Sequence, residues 1–67
     1  MATGTMLFFK AEAGRGYVRD DADGAEYFVH ASHCPAGTTL QNGDRISFEV
    51  RADPRSGRLQ AVNVSLL

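Results

Sequence analysis

The chain has 67 residues, of which 43% are hydrophobic and 22% are charged, and its formal net charge is −1 at pH 7. These values are typical of one small globular domain and exclude a disordered chain, and no apolar run approaches the ~20 residues of a membrane-spanning helix. A charge so close to zero excludes strong overall attraction to phosphate, so nucleic-acid binding would depend on local basic groups and on stacking.

The beginning of the chain and its single cysteine bear on the compartment. Residues Met1–Gly4 have neither the basic region nor the apolar stretch of an export signal. Cys34 is the only cysteine, so the chain cannot form an intramolecular disulfide, and nothing requires an oxidising environment. We therefore expect a cytoplasmic protein in which Cys34 is a small, half-buried apolar residue.

The first predicted strand is Gly4–Lys10, an apolar and β-prone run. Alternation does not decide which side chains face the core, because both Met6/Phe8 and Leu7/Phe9 are apolar pairs.

The next two strands form a predicted hairpin, with limbs Arg15–Arg19 and Glu26–His30 joined by the acidic turn Asp20–Gly24. Neighbouring residues on a strand point to opposite faces, so inward-facing Val18 and Val29 would leave one set of side chains outside. That outward set is Arg15, Tyr17, Phe28 and His30.

A long connection, 31–43, is punctuated by Pro35, Gly37 and the pair Asn42–Gly43. The fourth strand, Asp44–Arg51, alternates strictly and predicts an inward face. That face is Ile46, Phe48 and Val50.

The last predicted strand, Arg58–Leu66, follows a turn at Asp53–Gly57. Its pattern places Leu59 and Ala61 inward and leaves Val62 or Val64 open as a further inward residue. Five short strands without a helical period predict an all-β fold, and closure into a barrel would remove exposed edges. We predict a five-stranded antiparallel barrel of the oligonucleotide/oligosaccharide-binding type.

Five segments in order resemble the cold-shock domain family over the whole chain, 1–67, which implies a single cold-shock-like domain. They are Gly4–Lys10, Gly14–Val18, Tyr27–Ser32, Gly43–Val50 and Gln60–Val64. The resemblance implies an antiparallel barrel that binds single-stranded RNA or DNA with outward aromatic side chains on its first three strands.

Carried over by position, the resemblance assigns base stacking to five rings and leaves phosphate contacts to nearby cations. The stacking residues are Phe8, Phe9, Tyr17, Phe28 and His30. The cations predicted to bind nucleic acid are Lys10, Arg15 and Arg58, while Arg51 and Arg55 are further candidates for phosphate contact. The chain also departs from the family, because Arg15 and Ala31 stand where the family has Phe, and Leu7 and Ala13 where it has Lys.

The predicted function is binding of single-stranded RNA or DNA by stacking, as an RNA chaperone or a regulator of transcription or translation. With two rings lost and the acidic turn opposing the cations, we expect an affinity of roughly micromolar strength and a salt slope of about −1 to −3. The alternative is a protein-interaction module with weak or lost nucleic-acid binding. In either case we expect a monomer or a weak, strand-exchanged homodimer, and strand exchange would use the connection 31–43 as its hinge.

Metal binding and catalysis are disfavoured. His30, His33 and Cys34 offer zinc-ligand chemistry, but a structural zinc site needs four ligands and the chain has no second cysteine. A Cys–His pair adjacent in sequence does not provide the geometry of a nucleophile and its base. We predict no metal, no cofactor and no enzymatic activity.

Overall fold

In a computed structural model, residues 1–35 and 39–67 are described. The elements in chain order are β1 (Ala2–Lys10), β2 (Arg15–Asp20), β3 (Glu26–His30), a short 3₁₀ helix (Ala31–His33), β4 (Arg45–Ala52) and β5 (Leu59–Leu66). Within these two ranges, no helix is long and apolar enough to cross a membrane. Gly37, which the sequence marks as a break in the long connection, lies outside the described residues.

The strands close into a barrel in the order β1-β2-β3-β5-β4, with β4 pairing back to β1. This confirms the predicted all-β, five-stranded barrel. The pairing of β3 with β5 is parallel, with Phe28 opposite Gln60 and Val29 opposite Ala61, and the other pairings are antiparallel. An odd number of strands cannot alternate in direction all the way round a closed ring, so one parallel pairing is unavoidable.

A β-bulge in β1 explains why its sequence pattern was ambiguous. Met6 lies opposite Val18 and Phe8 lies opposite Tyr17, so Leu7 is an extra residue without a partner on β2. The bulge reverses the alternation, and Met6 is buried in the core while Phe8 is 39% exposed.

The core confirms most of the predicted inward faces. Its buried cluster consists of Met6, Val18, Val29, Leu40, Ile46, Phe48, Ala61 and Val64. Two predictions were wrong, because Val50 is 37% exposed and Leu59 is 54% exposed. Val50 lies beyond the pairing of β4 with β1, which ends where Phe48 meets Ala2, and Leu59 precedes the pairing of β5 with β3. Since β4 and β5 still pair here, Val50 with Ala61 and Leu59 with Ala52, each side chain has a neighbouring strand on one side only.

A second bulge lies in β5 at Asn63, whose φ is +52°. Asparagine tolerates this left-handed conformation better than most residues. The extra residue interrupts the alternation, so that the adjacent residues Ala61 and Val62 are both buried. The Asn63 Nδ2 donates a hydrogen bond of 2.8 Å to Glu49 Oε1 on β4, which ties the bulge to the neighbouring strand.

Gly16 allows the backbones of β1 and β2 to come unusually close. A Cβ at this position would lie 2.1 Å from the carbonyl oxygen of Phe8 and 2.8 Å from the Cα of Phe9. Any larger residue would therefore push β1 away from β2 at the point where Phe8 meets Tyr17.

We expect Gly16→Ala to lower the free energy of unfolding by about 2 kcal/mol or more, because rigid backbone atoms occupy the space of the new methyl group. The matched control is Gly24→Ala, where no atom lies within 4 Å of the new Cβ and only the positive φ of 73° opposes the change. Gly24→Ala should lower the free energy of unfolding by about 1 kcal/mol. Urea denaturation measures both, and equal losses would contradict the close approach.

The hydrogen bond from Asn63 also affects the titration of the Glu49 carboxyl. Hydrogen bonds from Asn63 and then Arg51 hold the pKa of the Glu49 carboxyl below its ordinary value. Its contribution to stability is therefore fully present above the unfolded-state pKa and is lost as the pH falls through the lower folded-state pKa. We expect Asn63→Gly, which permits the positive φ but removes the donor, to raise the pKa of Glu49 in a carboxyl ¹³C NMR titration.

Asp53 serves as the internal control for this titration. Its pKa is lowered by the backbone N–H of Arg55 and by the Ser56 hydroxyl, neither of which involves Asn63. An unchanged pKa at Glu49 in a folded Asn63→Gly variant would show that the amide does not stabilise the carboxylate.

Candidate nucleic-acid interface

Three aromatic side chains form a continuous row on the outside of β1, β2 and β3. Phe8 lies directly opposite Tyr17, and Tyr17 lies directly opposite Phe28. The ring centroids are 5.6 Å apart between Phe8 and Tyr17 and 5.8 Å apart between Tyr17 and Phe28. We call Phe8, Tyr17 and Phe28 the aromatic row; the His30 ring continues it at 6.3 Å from Phe28.

The rings of the aromatic row are tilted against one another. Their planes meet at 54° between Phe8 and Tyr17 and at 76° between Tyr17 and Phe28. Tilted and edge-to-face contacts stabilise neighbouring rings without stacking one face on the other. Phe8 is exposed, while Tyr17 and Phe28 are half-buried. The row therefore combines mutual support with ring surface that is open to a planar ligand.

A line of polar side chains runs beside the aromatic row, two residues after Phe8 on β1, two before Tyr17 on β2 and two after Phe28 on β3. Lys10 lies opposite Arg15, and Arg15 lies opposite His30. We call Lys10, Arg15 and His30 the basic row. Since the same strand registers position both rows, side chains that can contact phosphate lie immediately next to rings that can stack on bases.

Arg58 approaches the aromatic row from the opposite side. Gln60 lies opposite Phe28, and Arg58 precedes Gln60 by two residues on the adjoining segment of chain. A groove on this surface brings together six of the eight predicted binding residues, with Gly16 at its base. The six are Phe8, Lys10, Arg15, Tyr17, Phe28 and Arg58.

Ion pairs separate the cations of this protein into two groups. Arg19 pairs with Glu26 at 3.6 Å, Arg51 pairs with Glu49 at 3.3 Å, and Arg45 pairs with Asp21. In the described part of the chain, the remaining cations have no carboxylate partner within ion-pair distance. They are Lys10, Arg15, Arg55 and Arg58, and all but Arg55 line the groove. Arg51, a candidate for phosphate contact by sequence, is held by Glu49.

The acidic turn is arranged differently from the expectation that it opposes these cations. Asp20 and Asp23 accept hydrogen bonds from the backbone N–H groups of Ala22 and Ala25, at 2.8 Å and 3.0 Å. The turn also lies at the end of β2 remote from Arg15. These two carboxylates therefore organise the hairpin turn, while Glu26 and Asp53 border the surface next to Phe28 and Arg58.

His30 has a defined tautomer. The backbone N–H of Ser32 donates to its Nδ1 at 3.1 Å, and a backbone N–H can only donate. Nδ1 is therefore the acceptor of this hydrogen bond, which in a neutral ring places the proton on Nε2. The Ser32 hydroxyl lies 2.8 Å from the same Nδ1 and can donate to it as well.

Phe9 and Cys34 lie apart from the groove. Phe9 is partly buried and packs against the core because the bulge at Leu7 turns it inward, so its stacking role stays a prediction. Cys34 also packs against the core, and burial raises the pKa of its thiol, which favours the unreactive protonated form. Within residues 1–35 and 39–67, no group of three or more His, Cys, Asp or Glu side chains is arranged to hold a metal ion.

Sequence reasoning missed two residues that shape this surface. Gly16 sets the distance between the first two strands, and Gln60 lies beside Phe28 across the parallel pairing. Gln60 was hidden because the partner of β3 is distant in sequence. The signal that was available is the odd strand number, which requires a parallel pairing somewhere in the ring.

Comparison with known proteins gives one consistent result. Residues 2–67 match the model of the family described as the 'Cold-shock' DNA-binding domain. The chain is 41% identical over 66 residues to a probable cold shock protein of Sinorhizobium fredii, covering 96% of each. It is 39% identical over 69 residues to the major cold shock protein of Micrococcus luteus, covering all of both chains. A cold shock-like protein of Stigmatella aurantiaca is 39% identical over 66 residues, covering 96% of this chain and 94% of the relative.

Proposed function

The chain belongs to the 'Cold-shock' DNA-binding domain family, and on that premise we propose that it binds single-stranded RNA or DNA by stacking bases on Phe8, Tyr17 and Phe28. Nucleic-acid binding is the general function of this family, whose members are not enzymes. The proposal adds the residues and the physical mechanism for this chain.

The observation that carries the proposal is the coincidence of the aromatic row with the unpaired cations. Stacking a base on an aromatic side chain is worth about 1–3 kcal/mol per base and tolerates any base, because every base has a π-face. Lys10, Arg15 and Arg58 adjoin the same rings and have no carboxylate partner among the described residues. A strand lying across the row would therefore find ring faces for its bases and cations for its phosphates.

The arrangement favours single strands over duplexes. In a duplex the base faces are stacked on one another, and unpairing a base costs a few kcal/mol. The aromatic row lies on an open barrel surface, where bases that are not stacked on one another can reach the ring faces. Bases that are already unpaired are therefore the preferred ligand.

Binding of this kind would act by competition with base pairing. Each base held on a ring stabilises the open strand relative to a hairpin, so an excess of protein melts weak secondary structure by mass action. We propose a role as an RNA chaperone that modulates transcription or translation. The proposed compartment is the cytoplasm, in agreement with a chain that has one cysteine.

We expect the double variant Tyr17→Ala/Phe28→Ala to bind a short oligothymidine about 30-fold or more weakly, because it removes two stacking surfaces worth at least about 1 kcal/mol each. Fluorescence anisotropy with labelled oligonucleotide measures the change. The control is Val50→Ala, which truncates an exposed apolar side chain in a different depression, beside Met1 and Asp21. Undiminished affinity in a folded double variant would refute stacking on these rings.

Salt dependence tests the contribution of the cations. Three phosphate contacts at about −0.7 each predict a slope near −2 in a plot of log K against log salt concentration. Arg15→Phe should bind more tightly at moderate salt and should reduce the magnitude of the slope by about 0.7, because it exchanges a phosphate contact for a ring. A wild-type slope much steeper than about −3 would mean that phosphate contacts, and not stacking, dominate the affinity.

A further inference from the structure

We propose that Asn42 is a site of spontaneous deamidation, in which its side-chain amide becomes a carboxylate through a cyclic imide formed with the backbone nitrogen of Gly43. In the folded protein the reaction occurs only when the turn that contains Asn42 opens, and the rearranged product does not restore that turn. This inference concerns a surface remote from base stacking and does not rest on the proposed function.

The pair Asn42–Gly43 provides both groups that the reaction joins. The nitrogen of Gly43 attacks Cγ of Asn42, the C–N bond of the side-chain amide breaks, and ammonia leaves with the proton that the backbone nitrogen gives up. Water then opens the five-membered imide at one of its two carbonyl carbons. Opening at Cγ gives aspartate, and opening at the backbone carbon gives isoaspartate, in which the chain continues through the former side chain.

Access to the reacting nitrogen is unhindered at this position. Gly43 has no Cβ that could block the approach of the asparagine side chain, and both residues are exposed to water. The other asparagine, Asn63, differs in both respects. The branched side chain of Val64 follows it, and its amide already donates to Glu49 Oε1 at 2.8 Å. Asn63 therefore serves as an internal control.

The folded turn keeps the two reacting groups apart. The backbone N–H of Asp44 donates to the carbonyl of Gln41 at 3.1 Å, and the φ of Gly43 is +87° while that of Asn42 is not positive. These features define a type II turn, in which the residue at the Asn42 position has a ψ of about +120°. For an L-residue this ψ places the next nitrogen beside Hα, turned away from Cβ, so the ring cannot close.

Hydrogen bonds hold the turn in this conformation. The Gly43 N–H donates to the carbonyl of Met6, and the Met6 N–H donates to the carbonyl of Asp44, both at 2.8 Å. Within the turn, the backbone N–H of Gln41 donates to the Asp44 carboxylate at 2.9 Å. Deamidation of the folded protein therefore requires a local opening that breaks these contacts.

Isoaspartate at this position would disturb β1. It adds one backbone atom to the turn, so Gly43 and Asp44 cannot both keep their hydrogen bonds to Met6, which belongs to the buried cluster. We expect the isoaspartyl protein to unfold at a lower urea concentration than the Asn42→Asp variant, because that variant carries the same new charge on an unaltered backbone.

Mass spectrometry of proteolytic peptides measures the conversion, since the carboxylate is heavier than the amide it replaces. We would incubate the protein at mildly alkaline pH, both folded and in concentrated urea. We expect Asn42 to be converted in both conditions and faster in urea, and Asn63 to be converted much more slowly than Asn42 in both.

Asp44→Ala tests whether opening of the turn sets the rate, because it removes the acceptor of the Gln41 N–H and leaves the Asn42–Gly43 pair unchanged. Deamidation of the folded variant should be about five-fold faster, the equivalent of one hydrogen bond of about 1 kcal/mol, while the rate in urea stays close to that of the wild type. Asp23→Ala is the matched control, since Asp23 accepts the N–H of Ala25 at 3.0 Å in a different turn. It should leave both rates unchanged.

Three results would overturn the inference. Absence of conversion at Asn42 in the folded protein, under conditions where urea reveals it, would reject the site. Equal rates in the folded and unfolded protein would show that the turn gives no protection. An unchanged rate in folded Asp44→Ala, or an equal acceleration in Asp23→Ala, would show that opening of this turn does not control the reaction.

Discussion

The close approach of β1 to β2 at Gly16 is the contact on which the arrangement of the candidate interface depends. The absence of a side chain lets the carbonyl of Phe8 lie where a Cβ would otherwise be, and this fixes Phe8 beside Tyr17. From that pairing the rest of the surface follows by register alone. Tyr17 lies opposite Phe28 in the pairing of β2 with β3. The basic row repeats the same cross-strand pairs two residues away, nearer the connection between β1 and β2. A thin core that buries few side chains can thus hold an ordered external surface, because backbone hydrogen bonds set its spacing.

Closure of an odd number of strands supplies the other boundary of the surface. Parallel pairing of β3 and β5 is required by the direction of the strands, and it places a distant part of the chain beside Phe28. Arg58 and Gln60 reach the aromatic row only through this pairing. The charges are also divided by position. Three arginines form ion pairs, while the cations near the rings have no carboxylate within ion-pair distance among the described residues. A protein with a formal net charge of −1 can therefore present a locally cationic groove.

Much of this arrangement was predictable from sequence, and the exceptions have physical causes. Alternation identified the hairpin and the inward positions of Val18 and Val29, because those strands are regular. It did not assign Phe8 and Phe9, since the bulge at Leu7 reverses the alternation between two apolar pairs and nothing in their composition marks it. It placed Val50 and Leu59 inward, because a local pattern does not reveal where a neighbouring strand ends. The pairing of Arg51 with Glu49 and the engaged state of Asp53 are likewise matters of side-chain geometry.

The bulge at Leu7 has a consequence for how this sequence can vary over evolutionary time. On its amino-terminal side, β1 presents Met6 to the core, and on its carboxy-terminal side it presents Phe8 to the ligand surface. One strand is thereby divided into a half that packs in the core and a half whose side chains lie on the candidate interface. If the proposed function holds, substitutions at Phe8 or Lys10 would change binding while leaving the buried cluster, which includes Met6, intact. A domain of this size can in this way acquire new ligand preferences while its fold stays constant.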